Sequence, residues 1–176
     1  MFKSSLRNRF LLGLVTVAGL TAAVTPTIAA QLEATAPRPQ RVKVFFPKNP
    51  QQQSDLSYVE PVWRQAQTAS VARFAVSQVV AGPTRQERQQ GFIAPLTLQG
   101  NSNCGGRDFT LSITSATARL QFCRQVVSAG VGDDARIMSS LNATLKQFPT
   151  VRSVVVLDQN GNCVGDMSGE NLCLRR

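Results

Sequence analysis

The chain has 176 residues, 43% of them hydrophobic, with a formal charge of +9 and no histidine. That length suits one domain, with a core able to bury roughly two-thirds of the unfolded surface without a metal. The missing histidine excludes His-based triads, Cys–His dyads, His metal ligands and His proton shuttles together.

Residues 1–30 have the pattern of a secretory signal peptide. Lys3, Arg7 and Arg9 precede the apolar run Phe10–Val24, Pro26 breaks it, and Ile28-Ala29-Ala30 offers small residues before a mature start at Gln31. An uncleaved membrane tether is the alternative. Without the leader, 16 basic and 10 acidic residues leave a charge of +6, mostly arginine and without a long run. This describes a mildly basic soluble surface, or one suited to an anionic partner such as a wall glycan. An exported chain with no interleaved basic and aromatic patch argues against nucleic acid.

Gln31–Arg41, with Pro37 and Pro39, reads as a linker. Val42–Phe46 (VKVFF) is the first strand, ended by Pro47. Lys48–Ser57 reads as a loop and Tyr58–Val62 as a short extended piece. Trp63 is expected to plug the core, the commoner fate of a large aromatic, with a surface groove as the alternative. Thr68–Ala81 reads as a helix with Val71, Phe74, Ala75 and Val79 on one face. Thr68 or Ser70 caps its start and Gly82-Pro83 stops it. Arg85, Glu87 and Arg88 follow on a polar segment expected to be solvated.

Phe92–Leu98 reads as a short strand or a loop. Phe109–Ile113 and Ala118–Cys123 form a hairpin around Thr114–Thr117, and Val126–Gly132 is a Gly-containing loop. A second long helix follows, capped by Asp133 or Asp134, with Ile137, Leu141, Leu145 and Phe148 on one face. Pro149 ends it, and Val151–Leu157 is a β-branched strand. A helix returning directly onto a strand shares one core with it, which makes the fold class α/β (α+β). Asn160-Gly161 signals a two-residue hairpin turn. The chain then returns through Cys163 and Val164 to a polar tail.

With an export signal, Cys104, Cys123, Cys163 and Cys173 read as two disulfides. Three pairings are open. Spacing favours Cys104–Cys123, clipping the outer ends of the hairpin, and Cys163–Cys173, pinning the tail to the last strand. No C-x-x-C pair suits redox work, and no paired short spacings suit zinc. Asp158–Asn162 resembles the start of a calcium loop, but an EF-hand needs Gly sixth and Glu twelfth, where this chain has Cys163 and Gly169. There is no G-x-S-x-G and no S-x-x-K. A carboxylate or metal-dependent hydrolase could rest only on Asp158, Asp166 and Glu170 near one hairpin. The residues therefore read as non-enzymatic, with no catalytic residue, metal or cofactor.

Three motifs in order resemble the GerMN domain, the sporulation and spore germination family. Val42, Val44 and Phe46 occupy its first strand, V-x-V-Y-F. Val79, Val80, Gly82, Pro83 and Glu87 match its helix end, L-L-x-G-P-x-x-x-E. Thr144, Leu145, Phe148, Pro149, Val151 and Val154 match its closing T-L-x-x-F-P-x-V-x-x-V. The four cysteines and the tail Asn162–Arg176 lie outside the pattern. The resemblance spans most of Val42–Gly161 and implies a small mixed sheet with two helices packed on one face, similar to ring-building motifs; the domain is read as 42–176, with a disulfide-stapled C-terminal extension. The resemblance implies a non-enzymatic role in assembling or scaffolding envelope complexes, through binding to envelope proteins, while the export signal at 1–30 points to the periplasm or the cell exterior. It also allows a homo-oligomer. A binder of anionic wall polymer is the alternative carried by charge.

Overall fold

The computed structural model describes residues 38–175 of this chain, within the unit Ala36–Arg176. The expected leader, 1–30, and the expected linker up to residue 37 lie outside the described residues. Strand β1 (Gln40–Pro47) begins inside that linker and runs antiparallel to β2 (Val59–Ala66). The loop expected between them holds a one-turn helix, α1 (Gln51–Ser54).

Alternation along β1 buries Val42, Val44 and Phe46 and turns Lys43 and Phe45 to the other face. The register sets Trp63 opposite Lys43, on that outward face. Trp63 is therefore 51% exposed rather than in the core. The period of the strand decides its side, not its size.

Helix α2 (Val71–Ala81) buries Ala75, Val76 and Val79. Phe74, expected on this face, is only half-buried, and Val76 takes its place. Ser70 occupies the N-cap without a side-chain bond, while Thr68 Oγ1 accepts from the Ser70 N–H at 3.1 Å. Gly82 (φ 76°) ends the helix, its N–H donating to the Gln78 and Val79 carbonyls.

Helix α3 (Arg85–Gln89) starts with a capping box between Thr84 and Glu87. The segment is not simply solvated. Both Glu87 oxygens accept from Arg64 on β2, at 2.6 and 2.7 Å, and both side chains are 15% exposed. The Arg64 guanidinium holds the Glu87 carboxyl below its usual range.

Strands β3 (Thr97–Gln99) and β6 (Gln125–Val127) form a short antiparallel ladder, which absorbs Val126 and Val127 from the expected loop. β4 (Phe109–Thr114) and β5 (Thr117–Phe122) make the expected hairpin. β7 (Ser153–Leu157) lies parallel to β5, giving a mixed sheet of order β4-β5-β7. Helix α4 (Val131–Lys146) begins earlier than expected, with Gly130 at its N-cap. Asp133 and Asp134 fall in its first turn, where they suit the helix dipole but do not cap.

The fold is α+β. One core joins Val44 and Phe46 of β1, Val76 and Val79 of α2, Leu120 and Phe122 of β5, Ile137, Leu141 and Leu145 of α4, and Val156 of β7. The β1–β2 ladder stands apart from the mixed sheet, because the free edge of β1 is taken by α4. The Lys43 N–H donates to Gln147 Oε1 at 2.9 Å, and Gln147 Nε2 donates back to the Lys43 carbonyl at 2.6 Å.

Neighbouring positions of α4 should respond oppositely to truncation. Ser140 Oγ is buried without a partner among the described residues, so Ser140→Ala removes an unmet polar group and should be neutral or stabilising by up to ~1 kcal/mol. Leu141 is fully buried, and Leu141→Ala should cost about 2–5 kcal/mol. Urea unfolding of the oxidised chain measures both; a loss for Ser140→Ala equal to that for Leu141→Ala would contradict this account.

Candidate functional site

β7 is an edge strand, and its outer edge is only partly covered. The Val164 N–H donates to the Val156 carbonyl at 3.0 Å, and a single antiparallel bridge joins Leu157 to Cys163. In a parallel pair such as β5–β7, alternate residues turn their backbone groups outward, so Val154 faces the same way as Val156. No residue among those described bonds to Val154 on that side.

The return of the chain is shaped by one carboxylate. Asp158 Oδ1 accepts from the Asn160 and Asn162 N–H groups at 2.8 Å each, and the Asp158 N–H donates to the Asn162 carbonyl at 2.8 Å. The expected two-residue turn at Asn160-Gly161 is thus a longer loop, Asp158–Asn162, closed by an Asx turn. Beyond Val164 the chain leaves β7 at Gly165 (φ 77°). Cys163 is bonded to Cys173, which brings the tail back beside the strand, and Cys104 is bonded to Cys123 beside the β4–β5 hairpin.

An open groove of about 570 Å³ results. α4 lines it with Met138, Asn142 and Lys146, the tail with Val164, Leu172 and Cys173, and β7 with Ser153, Val154 and Val155. Lys146 and Arg152 are both exposed along it, and neither forms an ion pair among the described residues. A smaller hollow of about 280 Å³ shares Met138, Val164 and Gly165 with it and adds Val131 and Met167. Those two are 63% and 75% exposed, which is unusual for apolar side chains.

Asp166 also lines the groove, an anion whose oxygens are held by neutral donors of its own loop. Its Oδ1 accepts from the Ser168 hydroxyl and N–H at 2.5 and 3.0 Å, and Oδ2 from the Leu172 N–H at 2.8 Å. The Ser168 hydroxyl, then the Leu172 N–H, hold its carboxyl below the usual range.

The carboxylates of the hydrolase alternative do not converge. Asp158 and Asp166 serve separate turns, and Glu170 pairs with Arg175 at 3.4 Å. No group of three His, Cys, Asp or Glu residues able to hold a metal occurs among the described residues. No described helix is long and apolar enough to cross a membrane.

A second surface feature lies on the outward face of β1–β2. The Arg41 guanidinium sits 4.6 Å from the Trp63 ring centroid and Lys43 Nζ sits 5.4 Å from it. Neither cation has an ion-pair partner among the described residues. In the sequence Val154 is legible only as a strand residue of the closing motif, and Lys146, Arg152, Met138 and Met167 carry no signal of a site. Only the tandem of an apolar strand and a cysteine-pinned return hinted at a part-covered edge.

No protein-family model and no curated protein matches the chain. Among solved structures it is similar to the tandem GerMN domains of the sporulation protein GerM from Bacillus subtilis, at 17% identity and a TM-score of 0.47, over 80% of this chain and 48% of that one. It is likewise similar to the first GerMN domain of that protein, at 17% identity and a TM-score of 0.47, over 73% of this chain and 88% of that one. The chain spans about half the length of the tandem structure. Both are domains of the family that the sequence motifs resemble.

The Asp166 loop should loosen in acid. Its folded-state carboxyl titrates below the ordinary value, so the ordering it provides is present above that ordinary range and is lost as the pH falls through the lowered value. Amide exchange at Ser168 and Leu172, corrected for intrinsic rates, should stay protected through neutral and mildly acidic pH and lose protection only once the pH falls below the ordinary carboxylate range. Protection that grows on acidification would contradict this.

Proposed function

We propose that this chain is a non-enzymatic domain of the cell envelope that binds or scaffolds other envelope components, with proteins as its first class of partner. One observation carries this reading: an open groove beside a strand edge whose backbone groups at Val154 are unpaired. Such an edge is a ready site for another polypeptide. Two disulfides fit an oxidising compartment, which favours the periplasm or the cell exterior. The absence of histidine from the sequence weighs against general acid–base work at neutral pH.

A second reading, a binder of anionic wall glycan, draws on Arg41, Trp63 and Lys43. An exposed indole flanked by two cations is suited to a flat, acidic sugar.

Chemical cross-linking in intact cells, followed by mass spectrometry, tests the first reading. Recurrent links to a few envelope proteins are expected, and links confined to the chain itself would make it a homo-oligomer instead. Retention in washed wall material without protein links, released by salt and abolished by Trp63→Ala, would transfer the assignment to the glycan.

A further inference from the structure

We propose that the groove between α4 and the disulfide-pinned tail takes one extended segment of a partner protein by strand addition at Val154. The segment would carry a carboxylate at one end and a bulky apolar side chain at the other. This rests on the reading of the chain as a protein-binding domain, and names its site and the chemistry of its partner.

The argument starts from which edges are open. β2 presents its outer edge to solvent, but Pro61 lies in the middle of it. The Phe45 N–H points away from β2, to Thr144 Oγ1 at 3.1 Å, so its pair Pro61 is a non-hydrogen-bonded one. The ring of Pro61 therefore faces outward, where it offers an added strand no donor. β4 is flanked at Leu111 by Arg73, whose guanidinium donates to the Leu111 carbonyl at 3.4 Å. Neither strand has residues in the groove or the hollow beside it. Among the described strands, β7 combines an unpaired backbone position with side chains gathered around it in the groove, which no residue of β2, β3, β4 or β6 lines.

Those side chains have a direction. Lys146 ends α4 and Arg152 precedes β7, so both cations stand at the start of the strand. Asp166, the acid of the groove, is held in its own turn by Ser168 and Leu172. Neither cation pairs with it or with any other described acid, so the start of β7 is complementary to an acidic residue. Further along, the groove opens into the hollow of Met138, Val131 and Met167, with Asp134 the one charged residue on its lining. Flexible methionines there can shape themselves to a large apolar side chain.

A second copy of the chain does not fit by the same mode. Antiparallel pairing of two β7 strands about Val154 would set Arg152 of one against Val156 of the other. That position is already filled by Val164, bonded to the Val156 carbonyl. The segment must come from a chain without such a return.

The test places a photo-reactive amino acid at Met167, and as a control at Ile113 on β4, in the full chain in its own cells. Mass spectrometry then reads the attached segment. The expected result is one recurrent segment at Met167 with Asp or Glu within a few residues of the attachment, absent at Ile113. A peptide of that segment should slow Val154 amide exchange in the purified oxidised chain. The charge reversals Lys146→Glu and Arg152→Glu together should lower the yield at least about tenfold, while Arg85→Glu, exposed on α3 and outside the groove, leaves it unchanged. Any of three results overturns the proposal: no segment at Met167, a yield indifferent to the charge reversal, or a bound peptide that leaves Val154 exchange unaltered. If whole-chain cross-linking still finds envelope partners, only this site falls. If it finds none, the broader reading falls with it.

Discussion

The structure depends on how the free edge of β1 is satisfied. β1 carries Val44 and Phe46 into the core, yet it has one strand neighbour, β2. Its other edge would bury unmet backbone groups against α4, each costing about 1–3 kcal/mol. The end of α4 supplies what a third strand would. Gln147 matches the Lys43 N–H and carbonyl with its own amide, like a peptide unit turned sideways. Thr144 Oγ1 accepts from the Phe45 N–H. At the end of the edge Pro47 has no donor to satisfy, and its carbonyl accepts from the Ile93 N–H at 3.0 Å. These contacts bind the first described strand to a helix end 104 residues away, and they fix α4 against β1 while its Ile137, Leu141 and Leu145 fill the core.

The other edges are handled by different means, each local and cheap. Pro61 blunts β2, Arg73 flanks β4, and Val164 covers the second half of β7. The last depends on covalent help. A return strand of so few residues would not hold by two backbone contacts, and the Cys163–Cys173 link closes the loop that carries it. Asp158 and Asp166 order the two turns on either side of Val164. The same devices that cover Val156 stop short of Val154. The open position is thus bounded by built structure on one side, not left over at a frayed end.

The sequence made legible what depends on period and composition. The stripe Ile137, Leu141, Leu145 is core because a helix repeats its face each turn. Val154–Val156 is strand because β-branched residues suit the pleat. The hairpin followed from two runs around a turn. What depends on pairing was hidden. Trp63 looked like core until its register with Lys43 set it outside. Phe74 and Val76 differ by less than a turn, and only the packing partner selects between them. Glu87 reads as solvated because Arg64 lies 23 positions away; the capping box it closes, T-R-Q-E from Thr84, is a local signal. That Gln147 closes an edge and Val154 lies open on one has no local signal, since an edge exists only once strand order is known.

Net charge, likewise, gave a magnitude without an address. The structure divides part of it between two settings. Arg41 and Lys43 lie over an indole on one ladder, while Lys146 and Arg152 stand at an unpaired backbone in a groove. Both are cationic, but their neighbours ask for different partners. A ring face offers stacking and is indifferent to chain direction. A strand edge offers a donor and an acceptor at fixed spacing, which only another backbone meets in register. Screening by salt weakens both alike. Their distinction therefore lies in the uncharged groups, and the groove, whose specific contacts are backbone and apolar, is the one that discriminates for a polypeptide.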